Sequence, residues 1–225
     1  NRDGWLLQYC AGKTETEFSV PSAVQGVEIT AIAKSAFADA KSLQAVNLSN
    51  VRIVDELAFN RCLNLQTVRG DSVYYVERNA FSSTPWYQDY EGDYVGIGKT
   101  LIEYRGTSDI VMLSEYSSVG AGAFAGNVNI KEIVLGKAVD YIGAMAFYGC
   151  GNLKTVKLLR ADAVAGLGDF IFSEYNVPAL YVPQPLLNDY RAHGVWGIYQ
   201  PNALHTSVLF ESNGGTQQEA VHLNY

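Results

Sequence analysis

Two kinds of short apolar segment alternate along the chain and keep a common phase. In the first kind, aliphatic residues recur at every second position, as at Val46 and Leu48, Ile133 and Leu135, and Val156 and Leu158. Alternation with period 2 is the pattern of a strand with one face inward. The second kind is a run of four, at Ile29 to Ile32, Val51 to Val54, Val73 to Val76, Val139 to Ile142 and Val164 to Leu167. Ala-Phe or a close variant recurs six times, in five cases after one of these runs: Ala36-Phe37, Ala58-Phe59, Ala80-Phe81, Ala123-Phe124 (the case with no quoted run before it), Ala146-Phe147 and the weaker Ile171-Phe172. The Phe spacings are 22, 22, 43, 23 and 25 residues, so one repeat is hidden or replaced in the middle.

The neighbours of each Phe hold the phase. Six residues after an intact Phe stands Leu43, Leu65, Ile130 or Leu153, and three further on Val46, Val68, Ile133 or Val156. Two further on stands Leu48, Leu135 or Leu158, with Gly70 as the exception. The Ala-Phe segment is too short for a full helix and predicts one turn of α or 3-10 helix. A unit of this length cannot bury its apolar face alone. Stacking successive units makes a continuous core, which is a solenoid. Its predicted core is a file of Phe rings, one per coil.

From Phe81 to Leu113 the chain takes 32 residues where the intact stretch from Phe37 to Leu48 takes 11. The excess, 85–106, holds two short strand patterns about a Gly-containing turn, and it predicts a hairpin that protrudes from a coil or substitutes for one. Val111 and Leu113 resume the phase. Residues 3–25 read as an N-terminal hairpin, so 1–35 form a cap and first coil and 36–183 the solenoid. After Pro183, residues 184–193 predict a short helix with Leu186, Leu187 and Tyr190 on one face. With Trp196 they make a C-terminal cap and linker over 184–205.

The phased unit Tyr141-Ile142-Gly143-Ala144-Met145-Ala146-Phe147-Tyr148-Gly149-Cys150-Gly151-Asn152-Leu153 resembles the repeats of BspA-like leucine-rich repeat proteins of bacterial cell surfaces. The likeness covers about residues 1–200. Val54-Asp55 and Val76-Glu77 depart from the Ile-Gly that many family repeats carry before the Ala-Phe segment. The resemblance implies a right-handed leucine-rich repeat solenoid, mostly β with short α or 3-10 turns, and parallel strands at a period of 22 to 23 residues. It also implies a non-catalytic cell-surface or secreted module for adhesion or protein binding, with an extracellular location. Residues 206–225 resemble the opening of a Listeria–Bacteroides repeat, a small β module. If the chain is exported, its signal peptide lies upstream of Asn1.

Charge narrows the partners. Lys plus Arg is 16 and Asp plus Glu is 23 among 225 residues, giving a formal charge of −7. Nucleic acid needs a basic surface and is excluded on that ground. No apolar stretch approaches the roughly 18 residues of a membrane span. Gly98-Lys99-Thr100 imitates the end of a phosphate-binding loop, but Asp93 stands where that motif needs Gly, and no helix signal follows. No cofactor or metal is implied.

Cys62 and Cys150 share one repeat position, three after Phe. Four coils at ~4.8 Å each put them roughly 19 Å apart, beyond the ~7 Å Cα limit of a disulfide. They are expected as small buried groups, like Ala40 in the same slot; Cys10 has no evident partner. His193, His205 and His222 lack metal-ligand spacing. Asp89, Glu91 and Asp93 fit a solvated hairpin tip better than a cation site.

Two surfaces are candidates for binding a protein of the host matrix or cell surface, or a glycan. The first is the strand face, where Gln44, Asn47, Gln66, Arg69, Lys131, Glu132, Lys154 and Lys157 stack in rows; Ala45, Thr67, Val134 and Thr155 face the same way. An ordinary hydrated sheet is its plain alternative. The second is the aromatic set Trp86, Tyr87, Tyr90 and Tyr94, which could stack on sugars if exposed or pack the insertion back onto the coils.

Overall fold

Alternate side chains of each V-x-L strand go inward, and the strands of successive coils lie side by side in parallel. A computed structural model describes residues 5–7 and 15–204. One row of strands is a three-stranded sheet of Glu17–Ser19, Ala45–Asn47 and Thr67–Arg69. A five-stranded sheet of Ile110–Leu113, Glu132–Leu135, Thr155–Leu158, Ala179–Pro183 and Asn202–Leu204 resumes it. The four-residue apolar runs supply a second row: Trp5–Leu7, Val27–Ile32, Ile53–Val54 and Tyr75–Val76, then Thr100–Tyr104, Ser118–Val119, Tyr141–Ile142 and Gly166–Leu167. The chain is thus a parallel β-solenoid with few helices.

The Ala-Phe segments form a third column, and here the structure differs from the expected helical turn. The five Ala-Phe segments are each a chain of turns with left-handed residues two before and two after Phe; the variant Ile171-Phe172 keeps only the first, Phe170. Ser35 and Asp39 have φ of 57° and 60°, Leu57 and Arg61 59° and 60°, and Gly122 and Gly126 72° and 76°. The reversals point alternate N–H groups out of the turn toward the next coil. Phe37 N donates to Ala58 O at 2.7 Å, Phe59 N to Ala80 O at 2.7 Å, Phe124 N to Ala146 O at 2.8 Å and Phe147 N to Ile171 O at 2.9 Å. A helix would satisfy these donors within the turn; here they bond coil to coil. The Ala side chains beside them are buried, as close approach of adjacent turns requires.

The Phe rings stack as predicted, but in two files. In the first, Phe18, Phe37, Phe59 and Phe81 have centroids 5.3, 4.9 and 5.1 Å apart, and Trp86 closes it edge-on at 4.8 Å. In the second, Tyr104, Phe124, Phe147 and Phe172 follow at 5.5, 5.4 and 5.5 Å, with Tyr199 closing it at 5.1 Å. Tyr104 takes the Phe slot of the hidden coil, and Ile110–Leu113 is that coil's strand. The buried apolar side chains correspondingly form two clusters.

The insertion makes the seam between them. Tyr94–Ile97 and Thr100–Tyr104 form the predicted antiparallel hairpin. Thr100–Tyr104 also pairs in parallel with Ser118–Val119, so the hairpin substitutes for a coil. Gly70, the exception in the V-x-L pattern, is explained here: a Cβ on it would lie 2.8 Å from Ile97 Cδ1, the hairpin side chain that joins the first core. Gly98, at φ 56°, turns the hairpin where a Cβ would lie 2.8 Å from the Gly70 and Val73 carbonyl oxygens. Across the seam Ala121 N donates to Val76 O at 3.1 Å and Tyr74 OH to Asp140 Oδ1 at 2.7 Å.

The ends depart from expectation in detail. The N-terminal hairpin expected over 3–25 falls partly outside the described residues; the first two strands described there do not pair with each other. Trp5–Leu7 and Glu17–Ser19 each add a parallel strand to one row, and Phe18 heads the ring file. Parallel addition covers the open side of the first full coil in both rows. The antiparallel pairing is confined to Ala23–Val24 with Val27–Glu28, about Gln25 and Gly26 at φ 52° and 79°. Two consecutive left-handed residues suit a tight hairpin. At the other end, Leu187–Ala192 is the cap helix, with Leu187 and Tyr190 buried. Buried Trp196 donates Nε1–H to Ala165 O at 2.7 Å, and the Tyr190 hydroxyl accepts from Ala165 N at 3.1 Å. The segment after the helix adds the strand Asn202–Leu204. Residues 206–225, with the module start expected there, lie outside the described residues.

Truncating one buried ring in mid-file removes contacts on both sides. The variant Phe147→Ala is expected to lower the unfolding free energy by ~3–5 kcal/mol, read from urea denaturation. An unchanged midpoint would remove the ring file from the account of stability.

Candidate binding surfaces

In-register pairing converts the strand sequences into rows of side chains. On the three-stranded sheet the register sets Ala45 beside Thr67 and Asn47 beside Arg69, and on the five-stranded sheet Glu132 beside Thr155 and Val134 beside Lys157. Gln44, Gln66, Lys131 and Lys154, one residue before their strands, are exposed. The eight strand-face candidates therefore fall into two groups on separate sheets. Gln44, Asn47, Gln66 and Arg69 stand before the seam, and Lys131, Glu132, Lys154 and Lys157 after it.

Several of these side chains already have partners. Asn47 Oδ1 accepts from Ser49 N at 3.1 Å, which fixes the following turn. Lys157 Nζ donates to Glu132 Oε1 at 2.7 Å across the strand pair, and Lys131 Nζ to Asp109 Oδ2 at 3.3 Å. Arg69 is exposed, and its side chain makes no hydrogen bond or ion pair among the described residues. Val134 faces outward by alternation yet is only 3% exposed. It lies directly opposite Lys157, whose stem can cover it while the ammonium reaches Glu132. Ile110 and Met112, 56% and 43% exposed, were not singled out as ligand candidates. The signal was available: Val111 and Leu113 point inward, so their alternate neighbours must point outward. This sheet therefore presents an apolar edge beside a lysine-bearing face.

The aromatic set is not a free platform. Thr84 caps the short helix Pro85–Gln88 by accepting from Tyr87 N at 3.2 Å, and Trp86 N donates to Leu65 O at 2.8 Å. The indole stands edge-on to Phe81, with Tyr90 beyond it at 5.9 Å. The Arg105 guanidinium lies 4.6 Å from the Tyr87 ring centre, and its Nη2 donates to Tyr87 O. Burial pushes the Tyr87 hydroxyl up to about 12, and hydrogen bonding to Glu103 pushes the same way. Tyr94 packs between Tyr104 and Tyr116. All four aromatics are half-buried, closing the ends of the two ring files.

The remaining chemistry is structural. The Cys62 thiol donates to Phe37 O and the Cys150 thiol to Phe124 O, both at 3.0 Å, so the small slot reaches the Phe carbonyl of the preceding coil. Thr84 and Asn127 fill the same slot with polar groups, Thr84 donating to Phe81 O and Asn127 to Gly106 O. His193 Nδ1 accepts from Trp196 N at 3.3 Å; His205, His222 and Cys10 lie outside the described residues. Among the described residues no group of three or more His, Cys, Asp or Glu side chains is placed to hold a metal ion. No helix in them is long and apolar enough to cross a membrane.

Comparison with known proteins agrees with the repeat geometry. A family model described as BspA type leucine-rich repeat region matches in six copies over residues 16–87 and 96–189. No curated protein matches the sequence. A leucine-rich repeat protein of T. pallidum is similar at 22% identity and TM-score 0.40, over 86% of this chain and 89% of that one. One from Bacteroides ovatus is similar at 21% and 0.34, over 74% and 47%. A leucine-rich cell surface protein from Faecalibacterium prausnitzii is similar at 14% and 0.23, over 76% and 69%.

Burial pushes the Cys62 and Cys150 thiols up to about 11, which keeps them as the poorly nucleophilic thiol. Both are expected to resist iodoacetamide at pH 8 in the native protein and to react once it is unfolded in urea, as read by peptide mass spectrometry. Rapid native alkylation of either would contradict its place in the core.

Proposed function

The chain belongs to the BspA-type leucine-rich repeat family, and from that premise we propose that it is a non-catalytic protein-binding module that engages its partner through the five-stranded face. The observation that carries this reading is the pairing of exposed Ile110 and Met112 with the Lys131, Lys154 and Lys157 rows on one rigid sheet. Apolar contact area bordered by charge is the usual make-up of a protein interface. The lysines favour a partner that presents carboxylates. The family resemblance supports a bacterial surface or secreted location and a role in adhesion.

The aromatic insertion is the second reading, as a glycan platform. The ring and backbone contacts of Trp86, Tyr87 and Tyr94 weigh against it, because a stacking face already packed on protein is not open to a sugar.

A screen of the protein against immobilised matrix proteins and glycans tests the choice. Binding to a protein partner is expected, weakened at least about tenfold, or 1.4 kcal/mol, by Lys157→Glu and by Met112→Asp. Arg69→Glu, across the seam, is expected to matter less. Glycan binding lost in Trp86→Ala, with both strand-face variants unaffected, would transfer the function to the insertion.

A further inference from the structure

The first strand row skips one strand at the seam, and the skip leaves two strand edges unpaired. Phe59 is followed by the strand Thr67–Arg69 and Tyr104 by Ile110–Leu113, but Phe81 between them is followed by the helix Pro85–Gln88 and the hairpin. Thr67–Arg69 pairs only with Ala45–Asn47, and Ile110–Leu113 only with Glu132–Leu135. Neither lies alongside the other, or alongside Tyr94–Ile97, at strand spacing. Two spacings of ~4.8 Å are the width that one skipped strand leaves. The existing ladders fix which groups face the gap. Leu48 N donates to Arg69 O, Glu132 N to Asp109 O and Gly136 N to Leu113 O. Successive residues of a parallel strand bond to opposite sides, so Val68 on one edge and Ile110 and Met112 on the other turn N–H and C=O toward the gap. No backbone bond from another segment reaches these three residues among the described residues. The core is also less covered here. Val68 holds an inward position and is half-buried, whereas Val46, Val111, Ile133 and Val156 at the same place are buried.

We propose that an extended peptide adds to these edges as a strand, and that its sequence places an acidic residue directly after two aliphatic ones. Unpaired edges bond to any peptide backbone, so the flanking side chains set the choice. The register defines three levels. An outward side chain between Thr67 and Ile110 has a β-branched and an aliphatic neighbour and suits valine. The next points inward between Val68 and Val111, where an aliphatic group covers the half-buried Val68. The third points outward between Arg69 and Met112. The Arg69 side chain has no partner among the described residues, and a carboxylate beside it gains a charge-assisted bond. One residue further on, Ile97 already fills the inward place over Gly70, so the peptide needs a small residue there. The preferred pattern is Val-Val-Glu-Gly. This goes beyond the face reading, because backbone groups of the two edges and Arg69 do the binding, and the lysine rows do not.

The test is fluorescence anisotropy of a labelled, blocked peptide, Thr-Val-Val-Glu-Gly-Ser, titrated with the whole chain. Saturable binding is expected, with Kd below about 1 mM. Replacing its Glu by Lys, or methylating the backbone nitrogen of its second Val, is expected to weaken it at least about tenfold. The N-methyl peptide loses one strand bond and keeps every side chain, so it separates strand addition from side-chain contact. In the protein, Arg69→Glu is expected to cost a similar factor. So is Met112→Pro, which removes an edge donor that faces away from Glu132–Leu135. Lys157→Glu is expected to leave peptide binding unchanged, so failure of this proposal and failure of the face reading are read separately. Thermal melts establish that each variant is folded; Arg69→Glu and the N-methyl peptide decide the question if Met112→Pro is not. Amide exchange of Val68, Ile110 and Met112 is expected to slow when the peptide saturates the protein. No saturable binding at about 1 mM, equal binding of the Lys or N-methyl peptide, unchanged binding in folded Arg69→Glu, or loss of binding in Lys157→Glu overturns the proposal.

Discussion

Everything in this chain depends on contact between successive coils through the Phe rings and the N–H groups beside them. A single coil has two strands of a few residues and a turn, and none of these is stable alone. Stacking gives each ring a neighbour above and below, and it gives the Phe N–H a carbonyl in the next coil. The two effects need the same geometry. Left-handed residues on either side of Phe aim the N–H along the stack, and buried Ala lets the turns come close enough for the bond. Non-glycine residues such as Leu57 and Met145 hold φ of 59° and 57°. That conformation costs of order 1–2 kcal/mol per residue, and the coil-to-coil contacts offset it.

The seam shows what happens when one coil is replaced. The hairpin starts a new sheet of the second strand row with Thr100–Tyr104, which does not pair with Tyr75–Val76, and Tyr104 serves as the ring of that coil. Both strand rows therefore divide at the seam, the first into sheets of three and five strands, and the core divides into two clusters. Any ligand that used the whole strand face would have to span the division. The better unit of recognition is therefore one sheet. The five-stranded sheet is the longer, and it presents exposed apolar side chains beside its charged rows.

The repeat was legible because it is written in coupled positions: Phe, the small residue three after it, and the V-x-L strand. The ring file and the buried Cys62 and Cys150 follow from that phase, while the hairpin and the cap helix were legible from local strand and helix patterns. The turn conformation was not legible, because Ser35, Leu57, Asn79 and Met145 have little in common except position, and only the glycines at 122, 126 and 149 hint at positive φ. Gly70 looked like a flaw in the pattern until Ile97 was seen to fill its place. Whether the insertion's aromatics are exposed or packed is not decided by the sequence for a related reason: composition does not say that a ladder ends there and needs rings to close it. Rows of strand-face residues were legible, but the seam dividing them was not, since it depends on how the hairpin docks.

The central claim is that coils within a file support one another. Native-state hydrogen exchange of the Phe37, Phe59, Phe124 and Phe147 amides, each bonded to the next coil, tests it most directly. The account predicts that Phe37 and Phe59 exchange with a common opening free energy, that Phe124 and Phe147 do likewise, and that all four exceed the exposed turn amides by orders of magnitude. Exchange of one of these amides at the rate of an exposed turn, with its partner in the file still protected, would contradict it.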